Sequence, residues 1–131
     1  MDRPFTLDHL NHIVLRVRDL QRSVSFYQML GGDLQGEVQA GTLIRIGSTR
    51  QSVILQERRD YVPAAIGSVD HFNLMIHASD IHEVAAYLRE NGAELVGEPE
   101  VSRAGPTVNV RDPDGYVVEI RILQERSGEG A

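Results

Sequence analysis

The chain has 131 residues, no cysteine, and 13 Lys and Arg against 19 Asp and Glu, for a net charge of −6. The length suits one compact domain or two merged halves, and the missing thiols rule out disulfides, thiolate nucleophiles, iron–sulfur clusters and Cys-type zinc sites. Scattered arginines on an acidic chain argue against nucleic acid, and no apolar run nears the roughly 20 residues that span a bilayer.

The opening MDRPFTLDHLNH has no apolar core of a secretory signal, so the cytoplasm is the expected location. Residues 12–17 alternate as a strand, with Ile13, Leu15 and Val17 on one face and His12, Val14 and Arg16 on the other. Asp19 can cap a helix over 20–30, whose Leu20, Val24 and Tyr27 keep helical spacing and which stops at Gly31-Gly32. Short strands are expected at 33–38, 42–46 and 52–57, and segment 58–68 is read as a linker. A second strand–helix pair follows. Residues 71–77 place Phe72, Leu74 and Ile76 opposite His71, Asn73, Met75 and His77. Ser79 or Asp80 can cap a helix over 81–91 with a stripe of Ile81, Val84, Ala85 and Leu88. Strands are then expected at 94–98, 106–111 and 116–122, the last two closed into a hairpin by Asp112-Pro113-Asp114-Gly115. Within 116–122, Val117, Glu119 and Arg121 oppose Tyr116, Val118, Ile120 and Ile122. The tail 124–131, which contains SGEGA, has nothing to pack against and is read as disordered.

The order of elements is a repeat. LNHIVLRVRDLQRSVSFYQMLGGDL parallels VDHFNLMIHASDIHEVAAYLRENGAEL, aligning His12 with His71, Asp19 with Asp80, Tyr27 with Tyr87, Gly32 with Gly92 and Leu34 with Leu95. The expected fold is therefore α+β. Two βαβββ modules, about 8–57 and 69–123 within one domain, form a curved mixed sheet around a shared cavity. No GxGxxG or P-loop is present, which excludes a Rossmann unit.

Three stretches, LNHIVLRVRDLQRSVSFYQMLGG (10–32), VDHFNLMI (69–76) and RDPDGYVVEI (111–120), resemble the vicinal oxygen chelate superfamily. That superfamily includes glyoxalase I, bleomycin-resistance proteins, extradiol dioxygenases, fosfomycin-resistance enzymes and methylmalonyl-CoA epimerase. The likeness is nearest in motif to glyoxalase I and implies metal ligands on the first and last strands of each module. Those positions are His12, His71 and Glu119, with Gln56 as the fourth candidate because aligning VILQE with YVVEI sets it opposite Glu119. Two histidines recurring at equivalent repeat positions, and a carboxylate interrupting an apolar strand, agree with that implication. Such donors suit one divalent ion, Ni, Zn, Mn, Co or Fe(II).

The resemblance implies a metal-dependent isomerase or lyase of the glyoxalase or epimerase type, acting on a small oxygen-chelating substrate, with Glu119 shuttling the proton. Arg16, Asn73 and Asn109 are candidate substrate contacts, His9 and His82 are read as surface residues, and Arg121 and Tyr116 as structural. An Fe(II) extradiol dioxygenase also fits the ligand types, but SRAGPTVNVR lacks that class's catalytic His and Tyr. Fosfomycin-type transfer is set back because Val14 stands where those enzymes carry Thr. A metal-free bleomycin-sequestering protein would suit the acidic charge but lacks such a ligand set. Exposed sheet edges, and module exchange in relatives, lead us to expect a homodimer. They leave open whether the cavity forms within a chain or between two.

Overall fold

In the computed structural model, residues 3–63, 69–102 and 104–124 are described. The tail after Gln124 and residues 64–68 of the linker lie outside them. The chain divides after Tyr61 into two compact units, each with its own sheet and helix. Among the described residues, no helix is long and apolar enough to cross a membrane.

The first unit runs β1 (His12–Val17), α1 (Leu20–Met29), β2 (Asp33–Val38), β3 (Gly41–Arg45) and β4 (Ser52–Glu57). Its sheet has the order β1-β4-β3-β2, with β1 parallel to β4 and the remaining pairs antiparallel. The second unit runs β5 (Phe72–Ile76), α2 (Ile81–Glu90), β6 (Glu94–Leu95), β7 (Glu100–Ser102), β8 (Gly105–Arg111) and β9 (Val117–Ile122). Here the order is β5-β9-β8-β6, β5 is again parallel to β9, and β7 pairs with β8. Both units are βαβββ at heart and the α+β expectation holds. The short β7 is an addition to the expected elements, and β6 stops after two residues, before Gly97 takes a positive φ.

Strand alternation decides what each helix covers. In the first unit Leu15, Val17, Ile44, Val53 and Leu55 are buried together with Phe26 and Tyr27 of α1. The two rings meet edge to face with centroids 5.0 Å apart. The start of α1 is held twice: Asp19 accepts from Arg22 N at 3.1 Å, and Glu57, from the end of β4, accepts from Leu20 N at 3.0 Å. In the second unit Val118, Ile120 and Ile122 of β9 are buried with Val108 and Val110, alongside Ile81, Ala85 and Leu88 of α2. The β8–β9 hairpin closes as its sequence demands. Asp112 Oδ1 accepts from the amides of Asp114 and Tyr116, both at 2.9 Å, which satisfies a carboxylate that is otherwise buried.

Helix geometry corrects two of the repeat alignments. Counted from the N-cap residues Asp19 and Asp80, the counterpart of Tyr27 is Leu88, not Tyr87. Tyr27 and Leu88 are each 1% exposed, whereas Tyr87 is 48% exposed. Likewise Gly31 matches Gly92, and Gly32 matches Ala93. Gly31 and Gly92 both take positive φ, and Gly32 N and Ala93 N bond back to the carbonyls of Tyr27 and Leu88 at 2.8 and 2.9 Å. Matching tyrosine to tyrosine slipped the alignment by one residue, and on a helix one residue turns a side chain by about 100°. Replacement of Leu88 by Ala is therefore expected to cost about 2–5 kcal/mol in urea unfolding, against no more than about 1 kcal/mol for Tyr87→Ala.

Candidate functional site

Because each helix takes one face of its sheet, the residues singled out for chemistry gather on the other. In the second unit β5, β9 and β8 set them in cross-strand rows. Asn73, Glu119 and Asn109 are Cα partners in one row, and Met75, Arg121 and Thr107 form the next. His71 immediately precedes β5 and, two residues before Asn73, belongs to the same face. Asn73 ties the first row together by donating to the backbone carbonyl of Glu119 at 3.0 Å.

Glu119 has a partner that sequence reasoning had set aside as structural. Its Oε1 accepts from Arg121 Nη2 at 2.7 Å, with the two side chains only 17% and 26% exposed. The spacing i, i+2 on an alternating strand was the available signal, since it puts both side chains on one face. Among the described residues Glu119 Oε2 takes no protein hydrogen bond. Among the described residues the buried Arg121 Nε–H has no acceptor either.

The two histidines are prepared alike. His12 Nδ1–H donates to Asn11 Oδ1, and His71 Nδ1–H donates to Asp70 Oδ2, both at 2.7 Å. With Nδ1 donating, the Nε2 lone pair is available, one of the two ways in which an imidazole ligates a metal. His9 makes the same kind of contact with Asp8, so the neighbour bond alone does not mark a ligand. His82, at the start of α2, and His77, just beyond β5, are both exposed.

In the first unit the corresponding rows read differently. His12 pairs with Ser52, Val14 with Ile54 and Arg16 with Gln56, while Leu43 extends the middle row on β3. The residue in the place of Glu119 is thus Ile54, and the expected match of Gln56 with Glu119 is corrected by two residues. A slip of two leaves a side chain on the same face, so alternation alone could not detect it. Gln56 is instead engaged at the far end of its strand, about 13 Å from the level of His12. Its Nε2 donates to Ala40 O at 3.2 Å and its Oε1 accepts from Arg58 at 3.4 Å. A cleft of about 430 Å³ lies at that end, lined by Leu20, Glu37, Gly41, Gln56, Glu57 and Arg58. It includes neither His12 nor Arg16.

Among the described residues, no three His, Asp or Glu side chains are grouped to hold a metal ion. By donor type, two imidazole nitrogens with Nδ1 protonated and one carboxylate with an unused oxygen fit a divalent cation.

The description "Glyoxalase/Bleomycin resistance protein/Dioxygenase superfamily" matches residues 9–120. The chain is 30% identical over 131 residues to lactoylglutathione lyase of Escherichia coli O157:H7, covering 92% of this chain and 96% of the relative. It is 27% identical over 117 residues to glutathione transferase FosA of Serratia marcescens, covering 88% and 82%. Among solved structures, a glyoxalase/dioxygenase from Nostoc punctiforme superposes with a TM-score of 0.80 at 25% identity, covering 95% of this chain and 97% of that one.

The Glu119–Arg121 pair can be measured directly. A double-mutant cycle on Glu119→Gln and Arg121→Met, read by urea unfolding, is expected to return a coupling of about 0.5–3 kcal/mol. A coupling near zero would mean that the pair does not form in solution.

Proposed function

The chain belongs to the glyoxalase/bleomycin resistance/dioxygenase superfamily, and on that premise we propose that it is an enzyme using one divalent cation held by His12, His71 and Glu119. The observation that carries this reading is the open face of the second sheet. There the carboxylate of Glu119, with one oxygen on Arg121, stands between two amide side chains, Asn73 and Asn109, in the row next to His71. Nothing in the packing of α2 calls for a carboxylate there. Gln56 drops out of the donor set, because Ile54 occupies the level at which a fourth donor would stand.

Three protein donors leave coordination positions for a substrate. When bound, the ion supplies Lewis acidity to two neighbouring oxygens of a small molecule. The chain's own part is to orient and to move a proton. Asn73 and Asn109 hold the polar groups of the substrate beside Glu119, and Arg16 offers its planar fork to a substrate carboxylate. Glu119 accepts a proton from the carbon next to the chelated oxygens and returns it to the adjacent carbon, an isomerisation with no net gain or loss. This is the lyase or isomerase class to which the Escherichia coli relative's name belongs.

A second reading, transfer of a thiol to the held substrate, is favoured by the Serratia relative, with Val14 counting against it.

Purified protein is expected to carry about one transition-metal ion per chain by mass spectrometry. His12→Ala with His71→Ala should lose it and Gln56→Ala should keep it. Metal retained by the double histidine variant would overturn the donor set. In the loaded protein, conversion of a glutathione hemithioacetal to its thioester is expected, falling by about 10²–10⁴ in Glu119→Gln. Consumption of glutathione with fosfomycin in place of that conversion would select the second reading.

A further inference from the structure

We propose that Arg121 is an anion-binding residue of the substrate site, which gives up Glu119 to the cation and takes an anionic oxygen group of the substrate in exchange. The half of this inference that concerns the cation rests on the reading above, and the half that concerns the anion does not.

Among the described residues, Arg121 has fewer acceptors than its guanidinium can use. Its Nη2 donates to Glu119 Oε1 at 2.7 Å, while its Nε–H is buried with no acceptor. An unmet buried donor is penalised, so an acceptor brought by a bound molecule would relieve that penalty. Its neighbours in the row offer no alternative. Met75 has only a weakly accepting sulfur, and Thr107 Oγ1, which donates to the carbonyl of Gly105 at 3.0 Å, accepts no bond from the guanidinium among the described residues. Glu119 is thus the one protein acceptor that the described residues give it.

That single partner is also the carboxylate assigned to the cation. A dication and a guanidinium on the same carboxylate repel each other, so loading the site loosens Arg121 from Glu119. Released, the guanidinium needs a new acceptor, and its planar fork matches a carboxylate, phosphonate or phosphate. Arg121 lies two residues beyond Glu119, roughly 7 Å along the strand. One small molecule can therefore present chelating oxygens at Glu119 and an anionic group at Arg121. The substrate class that follows is a small oxygen-chelating molecule bearing an anionic group a few bonds away.

The test uses ¹⁵N-labelled full-length protein and methylphosphonate as probe, following the Arg121 Nε–H signal identified by its disappearance in Arg121→Lys. In the absence of any cation, Glu119→Gln, which frees the arginine, is expected to bind the probe more tightly than the wild type, with that signal shifting to saturation. With Zn²⁺ present, the wild type is expected to bind the probe about tenfold more tightly than without it, and by linkage the probe should tighten Zn²⁺ binding by the same factor. Arg121→Met should abolish both effects. An Arg121 signal indifferent to the probe in every case would overturn the proposal. So would coupling that persists undiminished in Arg121→Met, because the probe would then be held by the ion alone. If the wild type takes no Zn²⁺, the cation reading fails, and the cation-free titration of Glu119→Gln still decides whether Arg121 binds the anion.

Discussion

The two-residue period of the strands is the constraint on which the rest depends. On β9 the burial of Val118, Ile120 and Ile122 on the α2 side leaves Glu119 and Arg121 no choice but the opposite face. A shift of one residue would bury a carboxylate and a guanidinium in an aliphatic core and expose three aliphatic side chains to water. The apolar half of the sheet thus positions the polar half. The same logic places His12 and Arg16 on β1, where Leu15 and Val17 are buried.

The repeat is symmetric in its scaffold and asymmetric in its chemistry. Both units have a parallel pair of strands and an Asp-capped helix with a glycine-assisted stop. Their middle rows differ completely: Val14, Ile54 and Leu43 in the first, Asn73, Glu119 and Asn109 in the second. The first unit thus carries an imidazole and an apolar row, and the second carries an imidazole, a carboxylate and its amide neighbours. The next rows carry one arginine each, Arg16 in the first and Arg121 in the second. A duplicated scaffold with one chemically loaded copy is consistent with a single cation rather than one for each unit.

Much of this was legible in the residues alone. Strand faces followed from alternation, and both helices from their aspartate caps and apolar spacing. The Asp112–Gly115 turn announced the final hairpin. What escaped was register. Nothing in VILQE reveals that Ile54, not Gln56, stands level with Val14, because slips of two residues preserve the face and only inter-strand hydrogen bonds decide between them. The tyrosine mismatch had the opposite cause, an identity that drew Tyr87 out of phase with the helix cap. Arg121 was passed over because its importance comes from Glu119, and a pairwise contact is invisible when each residue is weighed by itself.

The proposed cation site rests on a donor set of two imidazoles and one carboxylate with no fourth protein ligand. X-ray absorption of the zinc-loaded protein tests it most directly, because imidazole rings leave a distinctive outer-shell scattering pattern. The expected spectrum has two imidazoles at about 2.0–2.1 Å with the remaining positions filled by oxygen, dropping to one imidazole in His12→Ala. A spectrum without imidazole, or one that His12→Ala leaves unchanged, would contradict the account.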